Sequence, residues 1–259
     1  MSSYTKLLGC LALTSVLVLS LLSRPPPLLL QLPHQTAVHE YTSLATPEQV
    51  QAVRRATVRA ECADHAGHGI LKPMNPYYAS KFYPASLTLA EEEGLAWCRV
   101  GKVGTTAWSA LFLLLRAVPL ATIQTAVADL TAHDLLKQTV PSKPSERMHM
   151  VRGEHGTKYF KFMVVRHPFV RLVSAFRDKL ERMTEYNVRY HAKDAVRMTE
   201  RRYNSTVADS PTFPEFADYL VRTPPNLMDK HWAPYSKLCL PCNISYDAIL
   251  KLETIKVHK

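Results

Sequence analysis

The spacing of apolar positions along the chain changes several times, and each change marks an element. Leu7 to Leu22 form an apolar run interrupted only by Thr14, Ser15 and Ser20, with Lys6 before it and Arg24 after it. At about 1.5 Å of rise per residue, a helix of this length approaches what a bilayer span needs. No small-residue cleavage pattern follows. Residues 7–22 therefore read as a signal-anchor transmembrane helix behind a cytoplasmic tail of residues 1–6. A cleaved signal peptide is the alternative, and both place the remaining chain in the secretory pathway. The positive-inside rule does not choose an orientation, because Lys6 and Arg24 balance. Arg24 and the three prolines after it end any continuing helix, and residues 23–85 read as a stem. Within it, Thr46 as cap and Pro47 at the first helical position predict a helix to about Ala63.

Past Leu87 the pattern tightens. Leu95 to Val100 (LAWCRV) reads as a short buried strand, Gly101 to Gly104 as a turn, and Thr105 to Ala117 as a helix. Tyr159 to Val165 predicts a second strand, and Arg166-His167-Pro168 a break. A helix then follows from Phe169 to Met183, with Pro168 tolerated at its start. Two strand–loop–helix units predict an α/β domain over residues 86–259, with a central parallel sheet and ligands at the carboxyl ends of its strands.

Composition narrows the picture. A chain of 259 residues makes one sizeable domain with an appendage, and 47% apolar against 21% charged residues suits a folded protein. The net charge of +10 favours anionic partners. Routing to the secretory pathway counts against a nuclear or cytosolic nucleic-acid binder. The positive charge concentrates between Arg147 and Arg202, where fourteen Lys/Arg face six Asp/Glu. This stretch reads either as a solvated helix face or as a track for an acidic glycan. Cys62, Cys98, Cys239 and Cys242 are even in number and suit disulfides in an oxidising lumen, with three pairings open. The alternative for Cys239 and Cys242 is half a zinc site or a redox pair. Asn204-Ser-Thr and Asn243-Ile-Ser are glycosylation sequons.

Candidate chemistry sits in the two loops. A glycine-containing turn lets backbone N–H groups approach an anion, the following helix directs its N-terminus there, and Lys102, Thr105 and Thr106 add charge and donors. The pattern is not the GxxxxGK[ST] of a Walker loop. In the second unit Arg166 ends a strand, with Ser174 about two helical turns on and Arg177 beyond it. An arginine fork suits a terminal phosphate. Alone, the first unit also reads as a surface turn with a lysine, and the second as solvated Arg166 and Ser174 beside a core face of Val173, Phe176 and Leu180; together they fit a ligand with phosphates at two ends.

Cys98 to Trp108 resembles the 5′-phosphosulfate loop of the Golgi carbohydrate sulfotransferases of the HNK-1/chondroitin 4-O type. Val165 to Lys179 resembles that family's 3′-phosphate segment. A third block is similar as well: His231-Trp-Ala-Pro, Leu238-Cys-Leu-Pro-Cys242, Tyr246-Asp247 and Lys251-Leu-Glu-Thr254. The resemblance implies a P-loop-like α/β sulfotransferase domain, a single-pass type II Golgi membrane protein with its catalytic domain in the lumen, and 3′-phosphoadenosine 5′-phosphosulfate (PAPS) as co-substrate without a metal. By position, Lys102, Val103, Gly104, Thr105, Thr106, Ala107 and Trp108 are expected at the 5′-phosphosulfate. Arg166, His167, Pro168, Phe169, Val170, Arg171, Leu172, Val173 and Ser174 are expected at the 3′-phosphate, Arg166 and Ser174 making the main contacts. Gly101 departs from the proline usual in the family, and Thr105 and Ala107 occupy variable positions. The family continues beyond a Glu-Thr block such as Glu253-Thr254, so a C-terminal truncation is expected.

The implied reaction is in-line attack of an acceptor hydroxyl on sulfur, with Lys102 stabilising the leaving phosphate and His231 as base. His167 is the weaker base candidate, and packing of His231 and Trp232 under the sheet is the structural alternative. The expected acceptor is an acidic, chondroitin- or dermatan-like glycan. Two competing readings remain. One is a catalytically inactive, membrane-tethered glycan binder. The other is a lumenal kinase, which needs magnesium-binding carboxylates near the first loop, where Glu91-Glu92-Glu93 is the nearby acidic cluster.

Overall fold

The computed structural model describes residues 46–67, 87–129, 131–139, 157–182, 184–199 and 210–255. The apolar run at residues 7–22, most of the stem and the Asn204 sequon lie outside them. Among the described residues no helix is long and apolar enough to cross a membrane.

Strands β1 (Leu87–Ala90), β2 (Leu95–Cys98), β3 (Phe160–Val165) and β4 (Ala248–Lys251) form one sheet in that order. The sheet is mixed, which corrects the parallel sheet expected from two strand–loop–helix units. β1 runs antiparallel to β2, whereas β2, β3 and β4 are mutually parallel. The four residues Glu91–Gly94 joining β1 to β2 are too few for a crossover, so the pair must form a hairpin. Gly94 turns it at φ +63°, and a Cβ there would stand 3.0 Å from the Lys158 carbonyl. Every residue of β1 and β2 is buried, as in strands covered on both faces.

Helix α1 (Pro47–Gly67) precedes the sheet. Helices α2 (Thr105–Leu115), α3 (Leu120–Ala128) and α4 (Ala132–Thr139) lie between β2 and β3. Helices α5 (Pro168–Lys179), α6 (Glu185–Thr199), α7 (Phe213–Arg222) and the short α8 (Tyr235–Cys239) lie between β3 and β4. The first two helices after strands end earlier than their apolar pattern. Ala117 takes φ 54° after α2, and the N–H groups of Leu180 and Glu181 both return to the Phe176 carbonyl after α5. Trp97, Trp108, Phe112 and Phe162 pack ring against ring, with centroids 5.3–6.3 Å apart, where α2 crosses the sheet. Truncating such an aromatic costs about 3–5 kcal/mol. A second cluster joins Phe176 of α5, Leu180 at its C-terminal cap, Met198 of α6, Phe216 and Tyr219 of α7, and Trp232.

Helix α1 lies within the segment read as stem, yet it closes the sheet's edge. Gln51 is buried and accepts the Ile249 N–H at 2.8 Å, while Arg54 and Arg55 each donate at 2.6 Å to the Ile249 and Asp247 carbonyls. These side chains satisfy the outer backbone groups of β4 that would otherwise form an open sheet edge. Disulfide Cys62–Cys242 ties α1 to the turn before β4, and Cys98–Cys239 ties the end of β2 to α8. Each half of the Cys239–Cys242 motif thus has a distant partner, which removes the redox-pair and zinc alternatives. With 180 and 141 residues between partners, the chain-entropy account gives each disulfide about 5 kcal/mol of stabilisation.

Candidate functional site

The parallel pairing of β2 and β3 brings the loops that follow them to the same edge of the sheet. After β2, Lys102 adopts φ 70° and Gly104 φ 79°. Glycine takes that conformation freely, whereas for lysine it costs of order 1–3 kcal/mol and persists only when its surroundings impose it. Those surroundings are visible. Arg166 donates from Nη1 to the Lys102 carbonyl at 3.3 Å, Arg171 donates from Nε to the Gly101 carbonyl at 3.1 Å, and Thr105 Oγ1 donates to the Val100 carbonyl at 2.6 Å. Gly104 caps α2 without a side chain, so the first N–H groups of an eleven-residue helix face outward with their partial positive charge. Lys102 Nζ reaches Asp178 Oδ2 at 2.9 Å, and Lys179 Nζ meets the same oxygen at 3.0 Å. Burial pushes the Asp178 carboxyl up, but the hydrogen bonds and charges of Lys102 and Lys179 outweigh this and hold it below its ordinary value.

After β3, the Arg166 N–H donates to the Tyr235 hydroxyl at 2.8 Å, and that hydroxyl donates to the Arg166 carbonyl at 3.1 Å. The His167 N–H donates to Glu253 at 2.7 Å. Pro168 starts α5, Phe169 and Val170 are exposed, and Ser174 is half-buried. Arg171 turns inward. It is 3% exposed, donates to the Gly101, Ala233 and Lys230 carbonyls, and lies 4.9 Å from the Tyr235 ring centroid. It staples the first loop to the segment carrying His231.

That segment brings the base candidate to the loop. His231 Cδ2 lies 3.3 Å from where a Gly101 Cβ would stand, so its ring rests against the residue before Lys102. Its Nδ1 is 2.6 Å from Asp229 Oδ1, which also accepts the His231 N–H at 2.8 Å. With Nδ1 donating to the carboxylate, the lone pair falls on Nε2. Burial lowers the His231 pKa, Asp229 opposes this, and Lys179 and Lys230 add to the lowering. Burial raises the Asp229 carboxyl, but its bonds to His231 prevail and hold it at about 2. His191 of α6 stands edge-on to His231, centroids 5.4 Å apart. It is 2% exposed, its Nδ1 has no hydrogen-bond partner among the described residues, and burial is the main cause that lowers its pKa to about 4.

Among the described residues, the donor atoms of His191, Asp229 and His231 lie within 4.8 Å of one another, a spacing a metal ion could bridge. The carboxylate is already engaged by the His231 ring and backbone, and Lys179 and Lys230 add positive charge alongside. The trio is read as a hydrogen-bonded aspartate–histidine pair backed by a neutral imidazole.

Comparison with known proteins then places the chain. The model of the sulfotransferase family matches residues 86–259. The chain belongs to the sulfotransferase family. It is similar to carbohydrate sulfotransferase 14 of Danio rerio, 31% identical over 211 residues that cover 80% of this chain and 55% of the relative. The Homo sapiens carbohydrate sulfotransferase 14 is 31% identical over 80% of this chain and 53% of its own. Carbohydrate sulfotransferase 10 of Rattus norvegicus is 29% identical over 81% and 60%. The chain thus spans about half the length of the curated relatives it matches. No solved structure matches it.

In this member of the sulfotransferase family, the predicted residues divide by placement. Lys102, Arg166 and His231 meet at one edge. Val103 and Trp108 are buried in the sheet core and Arg171 beneath the loop, while Thr106, Ala107, Leu172 and Val173 are half-buried. Sequence reasoning missed Asp178, Asp229 and His191. The Asp229-Lys-His231 spacing is a legible signal for the second, since an aspartate bonds readily to a backbone N–H two residues on; His191 has no sequence signal. Glu91 to Glu93 occupy the β1–β2 hairpin, at the amino end of β2 and away from the loop after it. The kinase reading loses its candidate metal carboxylates there.

Proposed function

We propose that this protein is a carbohydrate sulfotransferase that moves the sulfuryl group of PAPS to a hydroxyl of an acidic glycan. The observation that carries the reading is the convergence of Lys102 and Arg166, from loops after adjacent parallel strands, with the guanidinium of one on the carbonyl of the other. The residues present fit a doubly phosphorylated, sulfated nucleotide: a strained lysine and an uncapped helix N-terminus for one anionic end, and Arg166 with Ser174 for the other. Bound there, PAPS supplies the sulfuryl group and adenosine 3′,5′-bisphosphate is the leaving group.

The chain's own residues then have separable tasks. Lys102 exchanges its ion pair with Asp178 for the phosphate oxygen that gathers charge as the S–O bond breaks. Its carbonyl is held by Arg166 and its conformation by the loop, so the side chain changes partner while the backbone stays in place. His231 accepts the acceptor hydroxyl's proton at Nε2. Burial keeps the imidazole neutral near pH 7, and Asp229 fixes its tautomer and receives the charge that develops on the ring. The Golgi lumen and an anchor at residues 7–22 belong to the same proposal, supported by two disulfides that suit an oxidising compartment.

The test is radiolabelled PAPS transfer to a panel of desulfated glycosaminoglycans. Wild type transfers label, and Lys102→Ala and Arg166→Ala each lose on the order of 10²- to 10³-fold in kcat/KM. Equal transfer by Lys102→Ala overturns the mechanism. Inactive wild type that still binds polysaccharide favours a tethered binder.

A further inference from the structure

Helix α6 has two unlike faces. Inward it places Asn187, His191, Ala195 and Met198, all buried. Asn187 donates to the Asp178 and Arg182 carbonyls, and His191 packs on His231. Outward it exposes Tyr186, Arg189, Tyr190, Lys193 and Arg197. Spacings of four, three and four residues from Tyr186 to Arg197 keep these side chains on one stripe, about 16 Å long at the helical rise. The two tyrosines are 56% and 60% exposed, with ring centroids 4.8 Å apart. A large aromatic pair in water is an unusual surface, since such rings ordinarily bury most of their area.

The stripe begins at the proposed reaction centre. Lys179 Nζ lies 5.5 Å from the Tyr186 ring centroid and 3.0 Å from Asp178 Oδ2, the oxygen that holds Lys102 at 2.9 Å. At its far end, Ala192, Lys193, Val196 and Arg197 line a shallow surface depression. One helix therefore lines the proposed base from inside and leads away from the proposed transfer lysine outside.

We propose that the outer stripe of α6 is the acceptor subsite, where pyranose rings of an acidic polysaccharide stack on Tyr186 and Tyr190 while Arg189, Lys193 and Arg197 pair with its carboxylates or sulfates. This rests on the sulfotransferase reading and names the surface that delivers the acceptor. Flat phenol rings offer a face for sugar C–H groups and a hydroxyl for sugar oxygens, and cations at every turn suit a chain that repeats its negative charge. An inserting membrane surface needs aliphatic side chains, which the exposed stripe lacks.

The experiment measures binding of fluorescent desulfated chondroitin, and separately of adenosine 3′,5′-bisphosphate, to the full chain. Tyr186→Ala/Tyr190→Ala is expected to weaken polysaccharide binding at least tenfold and raise the acceptor KM similarly, with bisphosphate binding and kcat unchanged. Tyr186→Phe/Tyr190→Phe keeps the stacking faces and is expected to retain most of the affinity. Arg189→Ala/Lys193→Ala/Arg197→Ala flattens the salt dependence of polysaccharide binding. Wild-type polysaccharide affinity in the alanine pair overturns the proposal, as does tighter binding of a single-stranded oligonucleotide than of the polysaccharide. Should wild type fail to bind the bisphosphate yet hold polysaccharide through these tyrosines, the donor reading falls and the subsite stands.

Discussion

The two sides of the cleft are built differently. The proposed donor side is two contiguous segments, each a strand, a tight loop and a helix, whose backbone donors and cations arrive already aimed. The proposed acceptor side is assembled from two pieces distant in sequence: α6, with His191 on its inner face and the stripe on its outer one, and the turn before α8 with Asp229 and His231. Backbone geometry does the work on the first side, as the left-handed Lys102 shows. On the second, burial does it: His191 is driven down to about 4 and His231 below its ordinary value, even beside a carboxylate. A contiguous loop can hold an invariant ligand such as a nucleotide. A corner made of separate elements can change its acceptor without disturbing the donor.

The sharpest way to break this division is to remove the charge on the acceptor side alone. Asp229→Asn is expected to lower kcat on the order of 10²-fold, within the range for a positioned acid–base group, and to leave adenosine bisphosphate affinity unchanged. Asp229 raises the His231 pKa against burial, Lys179 and Lys230. Without the carboxylate that pKa falls further, so the acidic limb of the kcat/KM profile moves to lower pH. A purely structural role for Asp229 would lower activity at every pH without moving the limb, and that result would merge the two sides again.

The contrast also explains what was legible in the sequence. Lys102 and Arg166 sit in local patterns: strand, turn and helix spacing made them candidates, and the family resemblance of the two segments assigned them to the two phosphate ends. Their neighbours illustrate where locality ends. Arg171 belongs to the same run as Arg166, yet one helical turn points it into the domain, where it binds three carbonyls. Trp108, on the first turn of α2, is core for the same reason, and Val103 is buried from within the loop. β1 escaped notice because a four-residue strand has too little pattern, and its hairpin made the sheet mixed. The role of α1 was hidden because nothing local to Gln51, Arg54 and Arg55 marks their partners, which lie on the edge of a strand almost 200 residues away. His191 looked like one histidine among eleven until packing buried it.

That burial has a stability consequence confined to the acceptor side. His191 binds its proton with a pKa of about 4 folded and 6.5 in its ordinary state. The folded state thus binds fewer protons, so the stabilisation is complete above pH 6.5 and is lost as pH falls from there towards 4. Between pH 7 and 4.5 this linkage removes about 2 kcal/mol, at 1.36 kcal/mol per unit of difference. Urea unfolding at the two pH values should show His191→Phe losing less stability than wild type by that amount. An identical loss in both proteins would mean that His191 is not the buried neutral group described.

The finest test lies where the two sides touch, at Gly101. Its φ is outside the left-handed region, so alanine is allowed there, but the new Cβ would stand 3.3 Å from His231 Cδ2 and the ring must move by a few tenths of an ångström. Misplacement by a full ångström costs about 10²-fold in rate, so Gly101→Ala is expected to lower kcat about three- to tenfold. Bisphosphate affinity should hold, because Lys102 and Arg166 keep their partners. The melting temperature should hold or rise, since alanine narrows the unfolded ensemble. A slower enzyme that is no less stable locates the defect in the seating of His231. Unchanged turnover would show that Nε2 does not need this contact, and would detach the acceptor corner from the loop it leans on.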